Sequence, residues 1–204
     1  MRLGPRRYRA AASELTVKEN VCLEGPIFPG GQRPNADYRA IPGTILLDAA
    51  RTIRVQRGAT LRRVAVIRDG MAMPVSSLRG AINLRAAMAG TAITIGDGSG
   101  THHDVLLEDL LVLGFNLAVR SDSSQRLNIR RVRGDNRNGI WLSQTYDITR
   151  IHDVHFWPFL TGNIGGVALQ QWAISGVANN GSGLIRITTA TPHSTRLLTM
   201  LRPK

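Results

Sequence analysis

The sequence predicts an all-β fold of the parallel β-helix type. A short repeated phrase predicts it, together with a second run of nearly the same period and the turn residues that bound both. The phrase is Ala59-Thr-Leu-Arg-Arg-Val-Ala-Val, then Val105-Leu-Leu-Glu-Asp-Leu-Leu-Val, Leu127-Asn-Ile-Arg-Arg-Val-Arg-Gly and Thr149-Arg-Ile-His-Asp-Val-His-Phe. Apolar residues hold the third and sixth positions and a charged residue the fifth. The last three copies are spaced by 22 residues, and the first lies 46 before the second, about two periods. Each copy is too short to bury its own apolar face, so copies must stack on one another to make a core.

The second run precedes each copy: Ile53-Arg-Val55, Ile93-Thr-Ile95, Leu117-Ala-Val119, Ile140-Trp-Leu142 and Val167-Ala-Leu169. Alternation on a strand turns the outer two residues inward and the middle one to solvent. Ile93 to Leu117 is 24 residues and Leu117 to Ile140 is 23, so both runs report nearly one period. A third strand follows the charged corner, as in Val64-Ala-Val66 and Leu110-Leu-Val112. The frame stacks Leu107, Ile129 and Ile151 in one unbroken apolar column, and Val119 with Leu142. Asp109, Arg131 and Asp153 share one corner, where stacking at ~4.8 Å makes a ladder of opposite charges.

The other segments follow in order. Residues 1–13 are a basic N-terminal segment or cap, residues 14–171 the parallel β-helix, and residues 172–204 a C-terminal hairpin and tail. The N-terminus has no apolar stretch behind its arginines, unlike a secretory leader. Residues 14–25 read as the first coil, with Leu15 and Val17 on one strand and Val21 and Leu23 on the next. Residues 26–43, rich in Pro, Gly and Asn, form a surface loop. Residues 75–88 have alanine and leucine at helical spacing behind a serine cap, so an inserted helix or loop flanks one coil. Two alternating runs around Asn179-Asn-Gly-Ser-Gly read as a β-hairpin.

At 204 residues the chain is long enough to bury a real core. Its net charge of +12 is almost all arginine, with Lys18 and Lys204 the only lysines. The arginines are scattered through every coil without interleaved aromatics, which argues against specific nucleic-acid binding. No run approaches the ~18 apolar residues of a membrane span. The single cysteine, Cys22, excludes an internal disulfide and reads as a small buried hydrophobe. His102-His103 and His152/His155 lack a third ligand at metal spacing, and no motif implies a cofactor. A Gly-x-Ser-x-Gly elbow is absent, which argues against a hydrolase of that type.

Carbohydrate is the chemistry the residues suggest. Trp141 stands outward between inward Ile140 and Leu142, and either a flat sugar ring or a neighbouring loop covers such an indole. The candidate face holds Arg54, Thr94, Ala118 and Trp141, bordered by Asn138, Asp122 and Tyr146. Arg54 and Arg120 suit an acidic sugar, since a guanidinium pairs a carboxylate at two points. The binding candidates are therefore Trp141, Tyr146, Asn138, Arg120 and Arg54. Asp97, Asp122 and Asp147 recur every 25 residues, and glycoside hydrolysis needs two carboxylates within ~5–10 Å. Asp122, Asp135 and Asp147 are the catalytic candidates for a hydrolase, and Arg120 or Arg137 for a lyase base.

Leu15-Thr-Val-Lys-Glu-Asn-Val-Cys-Leu-Glu-Gly resembles the opening coil of pectate-lyase-like right-handed β-helices. Ala59-Thr-Leu-Arg-Arg-Val, Asp104-Val-Leu-Leu-Glu-Asp-Leu and Asn138-Gly-Ile-Trp-Leu are similar in kind to coils of phage tailspikes and polysaccharide depolymerases. The resemblance covers residues 14–171. It implies a right-handed coil and a phage or prophage tailspike-like protein that binds, or also depolymerises, a bacterial surface polysaccharide. A homotrimer, phage tail proteins as partners and a virion-tail or extracellular location go with it. A free lyase or hydrolase of the pectate-lyase type and a purely structural β-helix are the alternatives. Ser175-Gly-Val-Ala-Asn-Asn-Gly resembles the start of a small β-module common in phage tail proteins, and the ending at Lys204 suggests a truncated module.

Overall fold

The computed structural model describes residues 1–10, 14–29, 37–96, 102–157 and 159–160 in full, with the backbone of two later strands. It is all-β with long parallel sheets and one short helix. The chain runs repeatedly through the same order of strands. An N-terminal strand, β1 (Tyr8–Arg9), precedes the first set: β2 (Glu14–Val17), β3 (Cys22–Glu24) and β4 (Ile45–Leu47). The second is β5 (Thr52–Val55), β6 (Thr60–Arg62) and β7 (Ala65–Arg68), followed by helix α1 (Leu78–Ala86). The third is β8 (Thr91–Ile95), β9 (His102–His103) and β10 (Leu106–Leu113), and the fourth β11 (Leu117–Asp122), β12 (Ser124–Gln125) and β13 (Asn128–Asp135). The fifth is β14 (Asn138–Ser143), β15 (Ile148–His152) and β16 (His155–Phe156), and β17 (Trp172–Ala178) and β18 (Leu184–Thr188) follow.

One sheet takes the first strand of every set, in the order β2-β5-β8-β11-β14-β17. The larger sheet carries the later strands along β1-β4-β7-β10-β13-β15-β18, with β3, β6 and β16 paired beside that path. Neighbours in both are parallel. The column Leu23, Leu61, Leu107, Ile129, Ile151 runs in register across five sets, as the 22-residue spacing predicts. Each of these side chains is at most 4% exposed, and burying one contributes about 1.5–3 kcal/mol.

On the six-stranded sheet the register differs from expectation. Val119 pairs with Ile93 and Ile140, and Ser121 with Ile95 and Leu142. The inward frame of β11 is therefore Val119 and Ser121, two residues beyond Leu117 and Val119. Ser121 misleads because a fully buried serine occupies the position that valine, isoleucine or leucine fills in other sets. Its Oγ has no hydrogen-bond partner, so this column is not unbroken apolar.

Left-handed corner residues turn the chain from strand to strand. Arg63, Asp109, Arg131 and Asp153 have φ of +57°, +54°, +50° and +53°, at one corner of successive sets. Asn20, Gly58, Asp104, Arg126 and Asp147 make a second such column. Left-handed φ costs a non-glycine residue roughly 1–2 kcal/mol, so ordinary side chains here need compensation. Charge supplies part of it. Glu24, Arg62, Glu108, Arg130 and His152 are also in register beside the first corner. The sets thus present Arg62-Arg63, then Glu108-Asp109, then Arg130-Arg131, as layers of alternating sign. Arg130 Nε meets Glu108 Oε1 at 2.6 Å, and Arg131 bonds both Glu108 and Asp109. Glycine is required where corners touch: a Cβ on Gly25 would lie 1.9 Å from the Arg63 carbonyl oxygen.

The third-strand face of the larger sheet is covered on both sides. Leu46, Ala65, Ile67, Leu111 and Leu113 pack under Tyr38, Met71, Met73, Val75, Leu84 and Met88. Helix α1 starts where the sequence places it, with the Gly80 N–H donating to the Ser77 hydroxyl at 3.1 Å. Residues 1–10 lie on the first set: the Leu3 N–H donates to Glu24 O at 2.8 Å, and β1 pairs β4. Cys22 is half-buried rather than buried, because Leu23 takes the inward position and leaves its neighbour facing out.

The expected C-terminal hairpin is not formed. β17 pairs parallel with β14 in one sheet, and β18 pairs parallel with β15 in the other. Two alternating runs joined by turn residues fit a hairpin and a corner between sheets equally well, and here stacking on the preceding set prevails. Val167-Ala-Leu169 and Asp97 lie outside the described residues.

Candidate functional site

The outward face of the six-stranded sheet is a column in register: Thr16, Arg54, Thr94, Arg120, Trp141. Strand alternation builds it, since each lies between two inward residues. The register shift in β11 puts Arg120, not Ala118, between Thr94 and Trp141. Ala118 is fully buried in the main core and cannot border a groove. Trp141 is 40% exposed, between inward Ile140 and Leu142, with Gly139 and Ser143 two residues to either side on its own face of the strand. The sheet spacing of ~4.8 Å makes Arg54 to Trp141 a platform of about 14 Å.

The two arginines are already engaged. Arg54 Nη2 meets Glu14 Oε2 at 2.7 Å and also bonds the Gly96 carbonyl. That guanidinium is the main cause holding the Glu14 carboxyl below its ordinary value. Arg120 Nε meets Asp122 Oδ2 at 2.7 Å, with the arginine side chain 54% exposed against 23% for Arg54. The face thus offers an indole and two neutralised ion pairs, rich in planar donors and acceptors.

The other candidates disperse. Asn138 Nδ2 donates to Asn116 O at 3.1 Å, joining two successive turns of chain. Tyr146 lies beyond the left-handed Gln144 corner, with its N–H bonded to Ser124 O. Asp122, Asp135 and Asp147 do not share a site. Asp122 belongs to the Trp141 face; Asp147 is on the second corner, bound through Arg126 Nη1 at 3.2 Å. Arg126 also clamps Asp104 at 2.7 Å, and with His103 it holds that carboxyl far below the carboxylate range. Asp135 ends β13 in the larger sheet, 1% exposed, and accepts the Leu160 N–H at 2.7 Å. Burial and the charge of Asp135 push the Tyr38 phenol up to about 12. Arg137, a lyase candidate, is exposed at the turn before β14.

A second aromatic group was only partly legible. Trp157, 41% exposed, stacks at 6.1 Å against His155, which meets Phe159 edge-on at 5.6 Å. The Arg133 guanidinium lies 5.2 Å over the Phe28 ring. Phe28 arrives from a loop with no periodic signal. Among the described residues no three His, Cys, Asp or Glu side chains cluster to hold a metal, and no helix is long and apolar enough to cross a membrane.

A cavity of about 370 Å³ opens at the far end of the stack, beside β2. Four strand steps separate β2 from the Trp141 strand, about 19 Å. The chain matches no protein-family model, no curated protein and no solved structure.

Proposed function

We propose that this chain is a right-handed, tailspike-like parallel β-helix that binds a bacterial surface polysaccharide along the outward column of its six-stranded sheet. The observation that carries the reading is Trp141, a large apolar ring held 40% exposed on β14, with Gly139 and Ser143 on its own face of the strand and two ion pairs in the same outward column. Right-handedness follows from the strong preference of parallel crossover connections for that hand. The paired state of Arg54 and Arg120 favours a hydroxyl-rich glycan, with Arg120 exposed enough to meet an occasional sugar carboxylate. Binding is preferred over depolymerisation, because Asp122, Asp135 and Asp147 lie apart and two of them are neutralised by arginine. A homotrimer carried on a virion tail, or an extracellular protein, is the setting this reading implies.

A glycan array with the wild type and Trp141→Ala tests the reading. Selective binding by the wild type, reduced in the variant, supports it. Binding equal in both removes the Trp141 face. Reducing-end or unsaturated products from the bound glycan would replace binding by hydrolase or lyase action. Light scattering at micromolar concentration tests the trimer.

A further inference from the structure

We propose that the open end of the stack, beside β2, takes an extended acidic segment of a partner polypeptide as an added parallel or antiparallel strand. Three independent observations converge there. β2 is the last strand of its sheet and pairs only with β5 among the described residues. The Val17 carbonyl accepts the Gln56 N–H at 3.0 Å on the β5 side, so the pleat turns the N–H and C=O of Thr16 to the free side. An edge strand with free backbone groups is a template for one more strand.

The cavity of about 370 Å³ is continuous with that edge. Its lining includes Leu15, Val17, Val21, Leu23 and Ile45 of the first set, with Leu3 and Tyr8 of the N-terminal segment. Residues 1–10 lie over Leu23 and Ile45, which are buried together with Val17; among the described residues Leu15 and Val21 are the half-buried members at this end. A strand laid on β2 would set alternate apolar side chains into the cavity, as every later set does for its predecessor.

The rim selects the charge of the occupant. Lys18 and Arg9 line it, Arg9 being paired with Asp69 at 2.8 Å, and Arg6 and Arg7 are exposed on the same N-terminal segment. Lys18, Arg6 and Arg7 form no ion pair among the described residues. Glu14, the carboxylate in the lining, is already held by Arg54 at 2.7 Å. Two such ends facing one another would oppose basic rims, which disfavours a second copy by this face. A fatty acyl chain fits the charge and the cavity but leaves the β2 backbone groups unused.

The test uses a labelled nine-residue peptide alternating Glu and Val, a peptide of the same composition with all Val before all Glu, and an alternating Lys/Val peptide. Fluorescence anisotropy should show the alternating acidic peptide binding at least tenfold tighter than the blocked one, and the Lys version not binding. Hydrogen exchange of the Thr16 amide should slow at least tenfold at saturation. Val21→Arg, which fills the cavity, should weaken binding at least tenfold; if it misfolds, the wild-type exchange measurement decides alone. Failure of the acidic peptide to bind overturns the proposal, as do equal affinities for ordered and blocked peptides or saturation without Thr16 protection. Uptake of sodium dodecanoate without peptide binding assigns the cavity to an acyl chain instead.

Discussion

Ser121 is the residue at which pattern and packing part. Its hydroxyl is fully buried without a hydrogen-bond partner, and such a group costs about 1–3 kcal/mol. Ser121→Ala should therefore raise unfolding stability by ~1 kcal/mol in urea titration, with an unchanged m-value. The same serine explains why the sequence frame of β11 slipped: an apolar triplet at Leu117-Ala-Val119 was a better match to the repeat than the true Val119-Arg120-Ser121. Trp141 was legible because its neighbours Ile140 and Leu142 alternate cleanly. Trp141→Ala should weaken glycan binding by about 0.5–1.5 kcal/mol and leave the melting temperature nearly unchanged, as its ring is partly exposed. A large fall in melting temperature would make the ring a packing residue. His155 gives a pH signature. Burial first, then the charge of Arg133, lowers its pKa from the ordinary 6.5. A folded-state pKa below the unfolded one means that the unfolded chain takes up the proton first, so stability is full above about pH 6.5 and falls as pH drops toward the folded value. His155→Phe should flatten the stability profile between pH 7 and 5, measured by urea midpoint.

At the scale of elements, the charged layers fix which set lies on which. Arg131 joins Glu108 and Asp109, both mostly buried, across one strand step. Replacing it with Asp would put three carboxylates together, and a loss of roughly 2–4 kcal/mol is expected, diminished by salt. An effect below 0.5 kcal/mol would mean that the ladder follows the register without helping to hold it. The corner charge was legible as the fifth position of the repeated phrase, but its left-handed backbone was not, since arginine and aspartate carry no such signature. Helix α1 was legible through its serine cap and alanine spacing. The final two strands were misread because local turn chemistry is shared between a hairpin and a corner; only their partners β14 and β15, far back in sequence, distinguish the two.

For the whole molecule, the repeat of 22 residues conveyed the parallel stacking, and the inserted segments conveyed little of where they pack. Tyr38, Met73 and Leu84 cover the outside of the larger sheet through contacts remote in sequence, which no period encodes. The candidate site was legible to the same degree as the stack. Arg54, Thr94 and Trp141 were placed on one face by alternation, while Ala118 was placed there wrongly and Arg120 left at the margin. That face stands or falls with its register, because shifting β11 by two residues exchanges the exposed Arg120 for the buried Ala118. Disulfide formation reads the register directly, since a bridge needs Cα atoms about 4.4–6.8 Å apart. In a Cys22→Ser background, Thr94→Cys with Arg120→Cys should oxidise to a single intramolecular disulfide, detected by mass spectrometry and released by reductant. Thr94→Cys with Ala118→Cys should remain as free thiols in the folded protein. Cross-linking of the second pair and not the first would contradict the stacked column of Arg54, Thr94, Arg120 and Trp141 on which the proposed glycan face rests.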